Sequence, residues 1–360
     1  MAEQALSTAP TYHARPTVRV DGQDNTEVTA AMLTMRMVEQ EGGLCSLELR
    51  LANFGGSSGG PELLFDDEQA VKLGSELAIY SGDVETPQEI FRGVVTGFES
   101  EFPEGEPPEL VLLAEDKLQQ ARLTRRTKTH DNLKLSDLAS SVASSMGLTG
   151  KATGLTDDLG TQVQLNESDL AFLRRLLARY DGDLQVVGDE LQVSPRGEVK
   201  RSEVELELYS QLRRVRVTAD LAHQVTETSC TGWDEVKGSK IKATSKGVNS
   251  GPGAGRTGAS ILTDAIGERS EHVGHLVATT RAEAQAIADS DFDRRARRFV
   301  IVDGTCEGNP KVRVGTHVTL KSVSTRFDNT YYVVRAVHRF DQRSGYVTDF
   351  EAEGAWLGNP

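Results

Sequence analysis

The sequence predicts a mainly β fold, two similar antiparallel β-barrels with an α/β domain inserted between and around them. Three observations predict it. Residues 44–51 (LCSLELRL) alternate, with Cys45, Leu47, Leu49 and Leu51 on one side and Ser46, Glu48 and Arg50 on the other, the period of a half-buried antiparallel strand. Residues 166–180 (NESDLAFLRRLLARY) instead place Leu170, Leu173, Leu176, Leu177 and Tyr180 on one helical face, with Arg174, Arg175 and Arg179 elsewhere. A faint repeat sets Gly74-Ser-Glu-Leu-Ala-Ile beside Gly315-Thr-His-Val-Thr-Leu, and each copy is followed at similar offsets by two further strands, near Phe91 and Leu110 and near Tyr331 and Val347.

In order along the chain, residues 1–15 are expected to be disordered. Val18 and Val20 open a run of strands that includes 76–80, 91–99 and 110–114, with a flexible turn at Gly55–Gly60, so 16–117 reads as the first barrel. Helical spacing returns at 135–146, with Gly147 as its stop, and again at 166–180, where Asn166 or Ser168 can cap the free N–H groups. A Gly188-Asp189 turn joins strands 184–187 and 191–193. Strands at 212–219 and 224–232 read as a further hairpin, and 246–260 as a loop too rich in glycine for regular structure. Thr280 and Glu283 form a capping box for a helix reaching Phe299, with Ala284, Ile287 and Ala288 as its apolar stripe. Strands then close the chain at 298–302, 317–320, 331–338 and 346–352. The division that follows is 118–205 with 235–297 for the α/β domain and 206–234 with 298–356 for the second barrel.

Charge narrows the function. The chain has 54 acidic and 40 basic residues, net −14, which argues against a nucleic-acid surface, since phosphate neutralisation needs clustered Lys and Arg. Glu62–Asp116 holds 15 acidic residues against Lys72 and Arg92, whereas Lys117–Lys134 holds six basic residues against Asp131; so abrupt a reversal marks a domain boundary. Cys45, Cys230 and Cys306 are too few and too far apart for a disulfide framework or a zinc knuckle. Met1–Pro10 has no apolar stretch of the signal-peptide kind, and no run has the length to insert in a membrane, so synthesis in the cytoplasm is expected.

No motif of reaction chemistry is complete in the sequence. Gly253, Gly255 and Gly258 match the spacing of a dinucleotide loop, but 246–252 is polar and contains Pro252, so no buried strand leads in, and a mobile loop is expected. His272 and His275 lack a third ligand and a helix to present them. No nucleophile elbow is present, and only 6% of residues are aromatic, few for stacking sugars or bases. Neither catalytic, cofactor-binding nor metal residues are assigned, and the partner-contacting residues stay unknown.

Residues 91–99 (FRGVVTGFE) resemble the Phe-x-Gly-x-Val-x-x-x-Glu strand in the hub region of the type VI secretion spike protein VgrG, and 166–180 resembles that region's Asn-Glu-Ser-Asp-x-x-Phe-Leu-Arg-Arg-Leu helix. Gly304, Asn309-Pro310, Gly315, Tyr332-Val333-Val334, His338 and Tyr346-Val347-Thr348 follow the rhythm of the late control gene D family of phage tails. The resemblance spans about residues 70–352. It implies a non-enzymatic baseplate hub of a contractile phage tail or injection system: a homotrimer whose six barrels adapt a threefold spike to the sixfold tail tube. Its implied partners are a separate spike protein, the inner tube protein and baseplate wedge proteins. VgrG-type chains continue into a needle, and this one ends at Pro360, hence the separate spike. The acidic 62–116 segment reads as a solvated face or, more sharply, as a docking surface of matched charge, and in a hub it could line the lumen. The competing expectation is a tail-borne peptidoglycan hydrolase.

Overall fold

The computed structural model describes residues 15–57, 60–82 and 86–358. The disorder expected over 1–15 falls, except for Arg15, outside the described residues, as does the middle of the Gly55–Gly60 turn. The fold is mainly β, with 49% strand and 18% helix.

The first β unit contains β1 (Thr17–Val20), β2 (Gln23–Asp24), α1 (Thr26–Ala31), β3 (Met32–Gln40), β4 (Ser46–Ala52), the small hairpin β5 (Gly55–Ser57) and β6 (Gly60–Glu62), β7 (Glu76–Gly82), β8 (Pro87–Glu101) and β9 (Glu109–Glu115). The alternation in β4 turns Leu47, Leu49 and Leu51 inward, where they meet Met35, Met37, Leu77, Ile79, Phe91 and Leu112.

The chain then leaves this sheet, where its charge reverses. A 3-10 turn at Lys117–Gln119 and α2 (Gln120–Leu123) lead to β10 (Arg125–His130), α3 (Leu135–Ser145), β11 (Thr149–Ala152), β12 (Gln162–Ser168), α4 (Asp169–Leu177), β13 (Gly182–Val187) and β14 (Glu190–Pro195). The helix expected over 166–180 is shorter at both ends. Asn166 has a left-handed φ of 50°, residues 162–168 pair with β10, and Ser168 provides the cap by accepting from Ala171 N–H. Its apolar face, Leu170, Phe172, Leu173, Leu176 and Leu177, is buried against α3 and the β13–β14 hairpin.

β15 (Ser202–Glu207) and β16 (Leu212–Ala219) begin the second β unit. The hairpin expected between 212–219 and 224–232 does not form. β17 (Glu227–Asp234) pairs instead with β18 (Ser239–Ser245) and, in parallel, with β20 (Ser270–Ala278), while β16 waits some eighty residues for β21 (Val300–Glu307). Between them lie β19 (Arg256–Thr257), α5 (Gly258–Ala265) and α6 (Arg281–Arg297), whose N-terminus is closed by Thr280. β22 (Thr316–Lys321), β23 (Thr330–Asp341), β24 (Gly345–Gly354) and β25 (Trp356–Leu357) complete the chain. The order β15-β22-β23-β24-β21-β16 curls around Leu212, Val302, Val318, Leu320, Tyr331, Val333 and Phe350.

The faint repeat is a duplication in register. β3-β4-β9-β8-β7 and β16-β21-β24-β23-β22 follow one order across the sheet and one order along the chain, all antiparallel. The row Val38–Ser46–Glu115–Val94–Glu76 corresponds to Thr218–Ile301–Glu353–Tyr332–His317. Both copies break register at the same two places, between Met32 and Thr34 and between Leu212 and Arg214, then between Val95 and Gly97 and between Val333 and Arg335. Gly74 and Gly315 have φ of 88° and 85°, a region open to glycine, and donate their N–H to Val95 and Val333 respectively. The two units are also one sheet, because β23 beyond its bulge pairs with β3, from Arg335 opposite Gln40 to Asp341 opposite Thr34.

A buried polar cluster lies where all three units meet. Glu39 of β3 accepts from Arg313 Nε at 2.6 Å, from Val314 N–H at 3.1 Å and from the Gln185 amide at 2.7 Å. Burial alone would raise the Glu39 carboxyl, but Arg313 and the Val314 N–H hold it below its ordinary value. Asp183 pairs with Arg201, Arg196 with Glu41 and Glu353, and Arg297 of α6 with Asp181. Replacing Arg313 by Met leaves Glu39 buried without its cation, and we expect a loss of about 3–5 kcal/mol, read as a lower urea midpoint. Adding Glu39→Gln should recover more than half of it.

Candidate interaction surfaces

The motifs singled out in the sequence turn out to be packed into the fold. The 246–260 segment is not irregular throughout: Arg256 and Thr257 pair with Leu357 and Trp356, and α5 begins at Gly258. The Asn329 side chain holds Ala254 from both sides, accepting from its N–H at 3.1 Å and donating to its carbonyl at 2.8 Å. A Cβ on Gly253 would lie 2.8 Å from that same Asn329 oxygen, and one on Gly258 would lie 2.5 Å from the Gln224 Oε1 and 2.8 Å from the Phe299 ring. The glycine spacing therefore lets the chain lie against its own C-terminal strands. Thr257 accepts from Ser260 N–H and closes the α5 N-terminus where a pyrophosphate would sit.

His272 and His275 stand three residues apart on β20, both exposed and on either side of Val273, where the pairing with β17 becomes irregular. His272 lies 3.2 Å from the Ser229 hydroxyl and 3.4 Å from that of Thr231. Among the described residues no three His, Cys, Asp or Glu side chains converge as metal ligands, and no helix is long and apolar enough to cross a membrane. Cys45, Cys230 and Cys306 are free and buried. His338, one of the positions carrying the resemblance, meets two others: its Nδ1 is 2.7 Å from the Tyr346 hydroxyl and 3.3 Å from that of Thr348. Burial pushes this imidazole down to about 3, so it stays neutral in the core.

A cleft of about 460 Å³ opens at the junction of the units, lined among others by Glu39, Cys45, Arg92, Asp116, Arg201 and Arg313. Its buried carboxylates are engaged by the protein itself. Asp116 accepts from Cys45 N–H at 2.9 Å and Leu118 N–H at 3.0 Å, and so ties β4 to the turn leaving β9. Burial nevertheless pushes its carboxyl up to about 7. What this arrangement does is hold three units together at a fixed angle.

The open features are strand edges. Among the described residues, β16 pairs on one side only, and Arg213, Arg214, Arg216 and Thr218 are exposed along it. β15 also has a free side, with Glu203, Glu205 and Glu207 exposed. β8 loses its β7 neighbour after Val94, so Gly97–Glu101 pairs with β9 alone, and the next residue, Phe102, is 65% exposed. Sequence reasoning missed these edges, because which strands remain unpaired follows from the whole topology.

A model of the Alg8 N-terminal domain family matches residues 43–342. No curated protein sequence matches the chain. Among solved structures, the fold is shared with the 43 kDa tail protein of prophage MuSo2 from Shewanella oneidensis, at 13% identity over 94% of this chain and 97% of that one, with a TM-score of 0.69. It is shared with the tail protein from Neisseria meningitidis MC58, at 13% identity over 95% and 97%, TM-score 0.66. The E. coli c3393 protein, a component of the type VI secretion system structurally similar to the T4 tail proteins gp27 and gp5, matches at 10% identity over 95% of this chain and 79% of that one, TM-score 0.61. The resemblance to tail and VgrG-type proteins thus holds at the level of the fold.

Two outcomes follow. Gly258→Ala should destabilise the 253–265 segment by about 1–3 kcal/mol, seen as faster amide exchange in α5, because its Cβ meets Gln224 and Phe299. For Asp116, the folded value near 7 lies above the ordinary 3.8, so its stabilising contribution is complete below 3.8 and is lost as pH rises through 7. From pH 5 to pH 8, the stability of Asp116→Asn relative to the parent should improve by about 2 kcal/mol in paired urea titrations.

Proposed function

The chain belongs to the Alg8 N-terminal domain family, and from that premise and the shared tail-protein fold we propose that it is the structural baseplate hub of a contractile tail or contractile injection system. The observation that carries this reading is the duplication in register. Two equivalent β units in one chain give six in a trimer, which is what joining a threefold spike to a sixfold tube requires.

In this reading each β unit is a barrel, the first over 16–117 and the second from 206–219 with 298–356. The α/β unit combines 118–205 with 220–297; this places β17 beside its partners β18 and β20 and leaves β15 as the strand that crosses to the second barrel. One face of the trimer meets the inner tube protein, the opposite face grips the spike, and the outer surface bears the wedge proteins. The acidic 62–116 stretch belongs to the lumen. The protein is made in the cytoplasm and built into the baseplate of the particle.

The cleft's buried carboxylates are taken up by the fold itself, Glu39 by Arg313 and Asp116 by the Cys45 and Leu118 N–H groups, which supports a structural role over hydrolysis. Light scattering or native mass spectrometry tests the reading. The purified protein, alone or with a co-expressed spike candidate, should run near three times 39.1 kDa. A monomer under both conditions would overturn the hub assignment, and a clear zone at its mass on a cell-wall zymogram would favour the hydrolase.

A further inference from the structure

We propose that one copy of this chain joins the next by strand addition, with β16 of one subunit laid along the Gly97–Glu101 edge of β8 in its neighbour. The inference rests on the hub reading and supplies the subunit contact that reading lacks.

It comes from completing the duplication. In the register above, β3 corresponds to β16 and β8 to β23. Within the chain, the first of these correspondences is already used on one side: β3 of the first unit pairs with β23 of the second, beyond the Val333–Arg335 bulge. The equivalent edges are β16 in the second unit and β8 beyond the Val95–Gly97 bulge in the first, and among the described residues neither has a strand beside it. Both cannot meet within one chain and also leave each β unit flanked as its twin is. Between two chains they repeat the internal junction, and an edge of unpaired N–H and C=O groups is the natural receptor for another strand.

Transferring the internal register residue by residue gives the contact. Val337 opposite Val38 becomes Glu99 opposite Thr218, and Arg339 opposite Arg36 becomes Glu101 opposite Arg216. On the other face, Phe340 opposite Met35 becomes Phe102 opposite Val215, and His338 opposite Met37 becomes Ser100 opposite Val217. The side chains at these positions fit. Arg216 faces Glu101, which Arg50 of the same sheet already holds at 2.6 Å, and has the exposed Glu99 on the diagonal, a favourable cross-strand arrangement. Phe340 is buried in the core of the first unit, whereas its counterpart Phe102 is 65% exposed. Val215 and Val217 line the core of the second unit while only partly buried, so Phe102 of a neighbour would be covered there. The ladder would stop at Pro103, which lacks an N–H. The contact is head-to-tail, so it propagates from copy to copy and ends in a ring where the rotation closes, at three copies in the hub reading.

The test is a disulfide in the transferred register. Opposed residues in an antiparallel pair have Cα atoms about 4.5–5.5 Å apart, within reach of a disulfide. The native Cys45, Cys230 and Cys306 are buried and will not compete. The full chain carrying Glu99→Cys and Thr218→Cys, in the same state as the native-mass measurement, should give on mild oxidation a non-reducing ladder ending at a covalent trimer. Glu99→Cys with Arg214→Cys, four residues out of register, should give at least tenfold less product. A trimer by native mass that does not cross-link, or cross-links equally in both variants, overturns the strand addition and leaves the hub reading standing. A protein monomeric even with its spike removes both.

Discussion

The structure depends on the ion cluster at the junction of its three units. Each unit has its own apolar core, and beside the β3–β23 ladder and Phe340 what crosses between them is charge: Glu39 and Glu41 from β3, Asp181 and Asp183 from the α/β unit, Glu353 from β24, against Arg196, Arg201, Arg297 and Arg313. Five carboxylates face four guanidiniums, and the surplus is relieved at Glu41, whose carboxyl burial pushes up to about 7. A junction of this kind gains little stability over a well-packed apolar one. Its gain is directional. Arg313 reaches Glu39 through two nitrogens while Val314 and Gln185 take up the remaining acceptor capacity, so the first unit cannot rotate against the second without stranding a buried charge.

The β3–β23 pairing and the ion cluster act on the same strand. β3 contributes its Thr34–Gln40 edge to β23 and its last residues to the cluster, so backbone ladder and charges set one geometry together. The two copies of the duplicated sheet then diverge in how they fill their cores. Where the first copy opposes Leu49 and Leu112, the second opposes Gly304 and Phe350, and a Cβ on Gly304 would lie 2.3 Å from the Phe350 ring. Volume is kept while its division between strands is exchanged.

That exchange explains why the repeat was faint in the sequence. Gly74 and Gly315 were legible because a left-handed backbone leaves few substitutes, and the alternation after them because each strand buries one face. Opposed pairs such as Leu49 with Leu112 were not, since no local pattern says which residues will face each other. The same limit accounts for the failed hairpin: strands adjacent in sequence usually pair, and nothing within 212–232 announces that 220–299 is interposed before the partner of β16. Within the glycine segment, 246–255 lacks regular structure as its composition implies, while the strand and helix at 256–260 escaped notice because their partner Trp356 lies far along the chain. The cluster residues, spread from Glu39 to Glu353, looked in so acidic a chain like ordinary solvated charge.

On its surface the molecule leaves unpaired backbone along several strands. The conspicuous histidines and glycines have local tasks, and the buried carboxylates of the junction are held by protein donors. The strand edges that stay unpaired among the described residues differ in charge: arginines along β16, glutamates along β15 and at the far end of β8, where Glu101 also meets Arg50. Free edges of one sign would repel their own copies, and uncharged ones would pair indiscriminately and aggregate. Opposite signs on two different edges permit association of copies in one direction only. A surface organised in this way selects for orientation.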